Sequence, residues 1–361
     1  MLNILDLIFL TLAAAVTFTG VLIHKYESHL PAFVIKGYKY GSFAYQGSGG
    51  NFLQAIEIPK AYYRHFYLFS TIYSVVTLIY MLAVYYLDYG VSTYIQMIHK
   101  LILEQDGPST VAALIAMSLL TVQCLRRFYE TYYLQVFAKS SKMNLSHYLA
   151  GIIHYFGCIV TVFGQAPLFC GNQSRQNIVW MDLYTKVVAI PCILAFMWCW
   201  YEQYQSNVIF ANLRKDKKTG KVVTEEHRVP YGRMFEKVSS PHRMCELLMY
   251  TILVFLVPTK TFFCIYLWVL GNQVRYLRYS FLYNTLDLES NMLSLTLFLL
   301  HTNYILQYYA LLTLLCYAPC YMAPRWMHRT LLQTAIQAHE WYKKTFKNYP
   351  AERRLILPGV F

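Results

Sequence analysis

Residues 66–87 read FYLFSTIYSVVTLIYMLAVYYL, an apolar run that contains no Asp, Glu, Lys, Arg or His. A helix of about 20 apolar residues is long enough to cross the hydrocarbon core of a bilayer. The chain repeats this pattern, and the other candidate spans are residues 2–23, 109–125 with a possible extension, 147–169, 181–201, 244–258 and a run that begins near Thr261. The repeated pattern predicts an all-α, polytopic membrane protein with about seven transmembrane helices.

The composition favours the same fold class. Hydrophobic residues make up 57% of the chain and charged residues only 14%, and a water-soluble domain of this composition would expose large apolar patches. The net charge of +13 does not indicate nucleic-acid binding, because Lys and Arg fall between the apolar runs and not in one basic patch. The nine Cys show no metal-type spacing, so we predict no metal site.

The distribution of Lys and Arg predicts the orientation in the membrane. Residues 24–65, 126–146 and 202–243 are rich in them, whereas residues 88–108 and 170–180 are poor. Because basic loops favour the cytosol, we expect a lumenal N-terminus and, after seven crossings, a cytosolic C-terminal tail. The basic loop 202–243 fits either a polyphosphate or anionic lipid, and its charge alone does not separate the two.

The chain lacks the usual nucleotide-binding and hydrolase motifs. No G-x-G-x-x-G follows a predicted strand, and neither a Walker loop nor a G-x-S-x-G motif occurs. Any nucleotide cofactor is therefore expected to bind to something other than a Rossmann domain.

The tail, HEWYKKTFKNYPAERRLILPGVF at residues 339–361, resembles the terminal signature of the steroid 5α-reductase family. Within the family the chain is most similar to polyprenol (polyprenal) reductases, through IPKAYYRHFY at 58–67, QCLRRFYE at 123–130 and several stretches between 212 and 241. The resemblance implies a seven-helix protein of the endoplasmic reticulum that binds NADPH from the cytosol and takes a polyisoprenoid from the bilayer. The implied activity is reduction of the α-isoprene double bond of polyprenal, on the route to dolichol for protein N-glycosylation.

The resemblance also implies the residues of the site. The expected phosphate anchors are Arg214, Arg228 and Arg353, and the positions that match residues lining the cofactor are Gln203, Asn207, Glu246 and Tyr342. His242 stands where the family often has Asn. For catalysis we expect protonated Glu57 or Tyr342 to donate to the substrate carbonyl, with His339 as an orienter or proton source.

Two alternatives remain open. One is a 3-oxo-Δ4-steroid reductase, although Ile56-Glu57 replaces the Gln-Glu pair of the steroid-type enzymes. The other is an inactive membrane scaffold or lipid-binding protein.

Residues 274–333 form a stretch of about 60 residues that the family pattern lacks, which interrupts the last predicted helix. Joined directly to 334–338, the short run 261–273 would make one span of ordinary length. The stretch is either a translated intron or a real hairpin insertion, and the chain is otherwise one membrane-embedded domain.

Overall fold

The computed structural model describes residues 2–31, 34–35, 38, 56–102, 107–137, 141–171, 183–216, 219, 222–224, 228–273, 342–343, 345–346 and 349–350. Within these residues the chain forms eight α-helices, which are α1 (Ile4–Tyr26), α2 (Tyr63–Leu87), α3 (Thr93–Ile102), α4 (Thr110–Tyr129), α5 (Leu145–Gly164), α6 (Leu183–Asn212), α7 (Pro241–Leu256) and α8 (Lys260–Gln273). Two three-residue strands, β1 (Glu57–Pro59) and β2 (Lys142–Asn144), pair antiparallel.

The architecture confirms the predicted all-α, polytopic membrane fold. Five helical stretches in the described part of the chain are long and apolar enough to cross a bilayer: 4–23, 60–87, 110–134, 145–164 and 185–212. Helices α7 and α8 fall on the sixth and seventh predicted runs, but their described lengths of 16 and 14 residues are shorter than a full span.

Helix α4 continues past residue 125, as the predicted extension of that span allows, because the charges of its last turn are compensated inside the protein. Two other predictions were wrong. Helix α6 continues past residue 201 to Asn212, because its polar residues Gln203 and Asn207 face buried partners. Helix α3 lies within a segment that the sequence predicted as a loop.

The helices pack against one another on their inner faces and expose apolar side chains on their outer faces. Helix α2 packs against α4 and α5, α6 packs against α7, and α1 packs against α8. On the outer face of α2, Ile72, Val76 and Ile79 are each more than half exposed, although they are apolar. Their spacing of four and three residues forms one stripe, as expected of a surface in contact with lipid chains.

The interior requires close helix contact at Gly157 of α5. A Cβ atom placed there would lie 2.4 Å from the ring of Phe9 in α1, so a larger residue would push the two helices apart. Phe9 is fully buried, and the contact keeps α1 against the core.

The two short strands tie the start of α2 to the start of α5. Glu57 pairs with Asn144, and the Asn144 side chain accepts a hydrogen bond of 2.9 Å from the backbone N–H of Ser146, which caps α5. Beside this ribbon, α4 ends in a single π-helical turn, Glu130–Leu134. Such turns often occur at functional sites.

Candidate active site

A buried group of charges lies at the end of α4. Glu130 is fully buried, and it forms ion pairs with Arg127 and, at 3.6 Å, with Nε of Arg126. The spacing of three and four residues along the helix brings all three side chains to one face. Because uncompensated charge is costly in a protein interior, the position of this group indicates a specialised site.

Amide side chains of α6 connect this group to α7. Asn207 donates a hydrogen bond of 2.9 Å to Glu130, and Gln203 accepts from Arg126 and, at 3.1 Å, from Gln123. The amide nitrogen of Gln203 donates to the backbone carbonyl of His242 at 2.8 Å. Gln203 therefore joins α4, α6 and α7 at one point.

A tyrosine-lined region lies next to the same charges. Arg127 donates a hydrogen bond of 2.9 Å to the Tyr67 hydroxyl oxygen, and its guanidinium lies 4.7 Å from the Tyr67 ring centroid. The ring of Tyr155 meets that of Tyr67 edge to face at 5.6 Å. The carboxylate of Glu246 lies within electrostatic range of Tyr67, Tyr155 and Tyr250.

A histidine in α5 closes this region on another side. His154 Nε2 lies 2.5 Å from the Tyr250 hydroxyl, and the Cys158 sulfur lies 3.8 Å from the same nitrogen. The described residues contain no group of three or more His, Cys, Asp or Glu side chains that could hold a metal ion.

His242 lies between the charges and the end of the bundle. Burial, and then the nearby Arg243 and Arg127, hold the pKa of His242 well below its ordinary value of 6.5. Its Nδ1 atom is buried and makes no hydrogen bond to any residue that the structure describes. A buried ring nitrogen without a protein partner indicates a site that a ligand completes.

Cations from three segments form a group that includes Arg243, the neighbour of His242. Lys60 follows β1, and its ammonium lies within electrostatic range of Arg214, just after α6, and of Arg243, near the start of α7. Arg214 also donates a hydrogen bond of 2.6 Å to the backbone carbonyl of Val136, two residues after the π turn of α4. Guanidinium and ammonium groups in such a set are suited to phosphate. Together with His242, they fit a phosphorylated nucleotide.

Two described tyrosines of the C-terminal tail contact the segment between α6 and α7. Tyr342 and Tyr349 are buried and stack in parallel at 5.5 Å, and the Tyr349 hydroxyl lies 2.8 Å from that of Ser239. The Tyr342 hydroxyl donates to the backbone carbonyl of Arg228 at 3.5 Å. This contact brings predicted tail and loop residues together, whereas predicted residues His339 and Arg353 lie outside the described part of the chain.

Glu57 lies on the ribbon, in β1. Its side chain pairs with Lys142 at 3.5 Å. Its proposed role as a protonated donor stays a prediction.

The structure thus brings Gln203, Asn207, His242 and Glu246 together, and places Arg214 in the group of cations that includes Arg243. Sequence reasoning assigned no role to Tyr67, Arg127 or Glu130. A signal was present in QCLRRFYE, where two arginines precede a glutamate by three and four residues at the end of an apolar helix.

The chain is similar in sequence to known proteins. The family model described as 3-oxo-5-alpha-steroid 4-dehydrogenase matches residues 298–361. The chain is 29% identical over 365 residues to a polyprenal reductase of Drosophila melanogaster, covering 99% of this chain and 93% of that protein. The predicted resemblance to the steroid 5α-reductase family is confirmed.

Two vertebrate proteins extend the comparison. A polyprenal reductase of Ailuropoda melanoleuca is 28% identical over 257 residues, covering 69% of this chain and 79% of that protein. A polyprenal reductase of Xenopus tropicalis is 25% identical over 315 residues, with coverage of 86% and 82%. The similarity to polyprenal reductases therefore extends well beyond the tail signature of the steroid 5α-reductase family.

Proposed function

We propose that this protein is an NADPH-dependent, membrane-embedded reductase that saturates the α-isoprene double bond of polyprenal. The observation that carries the proposal is the similarity to a polyprenal reductase over 99% of the chain. The relatives' names and the family description support the oxidoreductase class that the sequence predicts.

The chemistry of the substrate favours an aldehyde. An isolated alkene does not accept hydride, whereas conjugation to a carbonyl makes the β-carbon electrophilic. Negative charge then develops on the aldehyde oxygen, where a hydrogen-bond donor stabilises the transition state. The proposed substrate is therefore the α,β-unsaturated aldehyde, and the product is the saturated aldehyde, dolichal.

NADPH, when bound, supplies the hydride that adds to the β-carbon. Arg214 and Arg228 are proposed to hold its phosphates, with Arg353 of the tail, and the group of cations formed by Lys60, Arg214 and Arg243 supports this. The remaining proposed cofactor contacts are Gln203, Asn207, His242, Glu246 and Tyr342. The free Nδ1 of His242 offers an acceptor or a donor to the carboxamide of a nicotinamide.

The proposed catalytic residues are Glu57, Tyr342 and His339, of which His339 lies outside the described residues. Glu57 is paired with Lys142, and the Tyr342 hydroxyl donates to a backbone carbonyl. To donate to the aldehyde, the Tyr342 hydroxyl would first have to leave this carbonyl.

The proposed setting is the membrane of the endoplasmic reticulum, with the C-terminal tail in the cytosol and the polyisoprenoid entering from the bilayer. The exposed apolar stripe of Ile72, Val76 and Ile79 on α2 supports direct contact between this protein and acyl or isoprenoid tails. Saturated product would supply dolichol for protein N-glycosylation.

A second candidate function is reduction of a 3-oxo-Δ4-steroid. The description of the matching family model favours it, since that description names a steroid enzyme. A steroid enone presents the same conjugated carbonyl, so the same donors would serve it.

Turnover of polyprenal and of a steroid enone, measured in membranes from cells that express the protein, distinguishes the candidate functions. We expect NADPH-dependent conversion of polyprenal to dolichal, and much slower conversion of a steroid enone. Conversion of the steroid alone would favour the second candidate. Absence of both conversions, with the protein present and NADPH bound, would favour an inactive lipid-binding scaffold.

A further inference from the structure

Tyr67 carries a buried hydroxyl whose proton has no described acceptor. The residue is only 7% exposed and lies in α2, four residues after the start of the helix. Its oxygen accepts a hydrogen bond from Arg127, and no residue that the structure describes accepts one from it. Buried hydroxyl groups normally donate as well as accept, so this proton is available to a ligand.

Arg127 fixes and polarises this hydroxyl. Its second amino group pairs with Glu130, and Glu130 is held in turn by Asn207 at 2.9 Å. The chain of contacts runs from α6 through α4 to α2, so Tyr67 is oriented by three elements. A guanidinium that donates to a phenol oxygen stabilises the negative charge that remains when the phenol gives up its proton.

The neighbouring tyrosines lack this arrangement. The hydroxyl of Tyr250 already contacts His154 at 2.5 Å, and no arginine among the described residues donates to Tyr155. Tyr67 is thus the member of the group that combines an available proton with a cationic partner.

We infer that Tyr67 is a catalytic residue that donates its proton to the aldehyde oxygen of the substrate, with Arg127 as its positioning residue. The inference rests on the proposed function. It assigns the carbonyl donor to Tyr67 in the interior, in place of Glu57 or Tyr342. Tyr67 can donate without giving up a described hydrogen bond.

The proposed step moves a hydride to carbon and a proton to oxygen. The β-carbon gains hydride from the nicotinamide, the electron pair of the double bond moves to join the α-carbon to the carbonyl carbon, and the carbonyl pair moves to oxygen. Tyr67 gives its proton to that oxygen, which produces an enol. When the α-carbon takes a proton from solvent, the enol oxygen returns its proton to Tyr67, and the saturated aldehyde forms.

Tyr67→Phe tests this role in membranes loaded with NADPH. We expect kcat for polyprenal to fall about 100- to 1,000-fold, as when one oxyanion donor is removed. NADPH affinity, measured by nicotinamide fluorescence, should stay within about twofold. The matched control is Tyr73→Phe on the same helix, where the ring stacks on Phe156 and donates no described hydrogen bond; its kcat should not change.

Two further variants separate chemistry from folding. Replacing Tyr67 by 3-fluorotyrosine keeps the shape and makes the phenol more acidic, so the alkaline limb of the kcat–pH profile should move to lower pH. Arg127→Lys should lower kcat in the wild type but add little to Tyr67→Phe, because the two residues act as one unit.

The outcomes are distinct. If wild-type protein reduces polyprenal and Tyr67→Phe retains its kcat, or 3-fluorotyrosine leaves the profile unmoved, Tyr67 is not the donor and the proposed function stands. If wild-type protein that binds NADPH never reduces polyprenal, the proposed function fails, and the role of Tyr67 fails with it.

Discussion

Glu130 shows how one residue organises the candidate site. Its fully buried carboxylate forms ion pairs with Arg126 and Arg127 and accepts a hydrogen bond from Asn207. These contacts link α4 to α6. Removing one partner of such a group leaves another charge buried and unpaired, which is strongly destabilising. The geometry of Tyr67 depends on this compensation, since Arg127 can donate to the phenol only while Glu130 balances its charge.

His242 should make stability depend on pH. Its pKa is held well below 6.5 in the folded protein, mainly by burial, with Arg243 and Arg127 adding to the effect. Below about pH 6.5 the unfolded chain binds this proton and the folded protein does not, so stability falls as the pH is lowered through that value.

The measurement is the thermal midpoint of unfolding in detergent between pH 8 and pH 5. We expect the wild type to lose stability over this range, and His242→Asn to lose clearly less. The matched control is His65→Asn, because His65 is exposed on the surface. An identical pH dependence in wild type and His242→Asn would contradict this account.

The resemblance predicts Gln203, Asn207 and Glu246 as cofactor contacts, and in the structure these side chains lie near the buried charges of α4. Their role in binding a cofactor stays a prediction. Tyr67 was not singled out, because its partner Arg127 lies 60 residues away along the chain. One tyrosine among 34 gives no signal until that contact is known.

At the scale of elements, the docking of the tail on the segment before α7 is specific. The hydroxyl of Tyr349 meets that of Ser239 at 2.8 Å, in a buried position. Tyr349→Phe removes this hydrogen bond, which contributes about 0.5–1.5 kcal/mol. If the docked tail helps to hold NADPH, as we propose, the dissociation constant of NADPH should rise about 2- to 10-fold.

A double-mutant cycle provides the control for this prediction. Ser239→Ala should raise the dissociation constant of NADPH by a similar factor. In the double variant this constant should exceed that of either single variant by no more than about twofold, because both changes remove the same hydrogen bond. Unchanged NADPH affinity in all three variants would show that this contact has no part in cofactor binding.

The elements differed in how well their sequence predicted them. The long apolar runs of α1, α2 and α5 are unambiguous, because length and composition alone require a membrane or a large core. The ribbon of β1 and β2 was not predicted, since three-residue strands have no usable periodicity and are defined by their pairing. Helix α6 was predicted too short, because charged and amide residues end an apolar run without ending a helix.

At the scale of the whole molecule, the function depends on the tail being on the same side as the basic loop 202–243. Residues 274–333 lie outside the described part of the chain, but the contacts of Tyr342 with Arg228 and of Tyr349 with Ser239 place these tail residues on the side of that loop. We expect a C-terminal epitope to be cleaved by protease added to intact microsomes. Full protection of the epitope, with a lumenal marker as control, would contradict a cytosolic cofactor site.

A deletion tests whether residues 274–333 are needed for NADPH binding and turnover. Deleting residues 274–333 joins Gln273 to Thr334 and is expected to leave NADPH binding and polyprenal turnover in place, because the joined run 261–273 and 334–338 would make one span of ordinary length. Loss of both properties in a variant that still reaches the membrane would show that the segment belongs to the functional protein. Sequencing the transcript across both junctions decides whether it is a retained intron.

The central claim is that hydride reaches the β-carbon of a conjugated polyisoprenoid aldehyde. The most direct measurement supplies membranes containing the protein with polyprenal and with NADPH deuterated at both C4 positions, and locates the label in the product by mass spectrometry. The account predicts dolichal with one deuterium on the β-carbon. Deuterium on the former carbonyl carbon, or a product that retains the double bond, would contradict it.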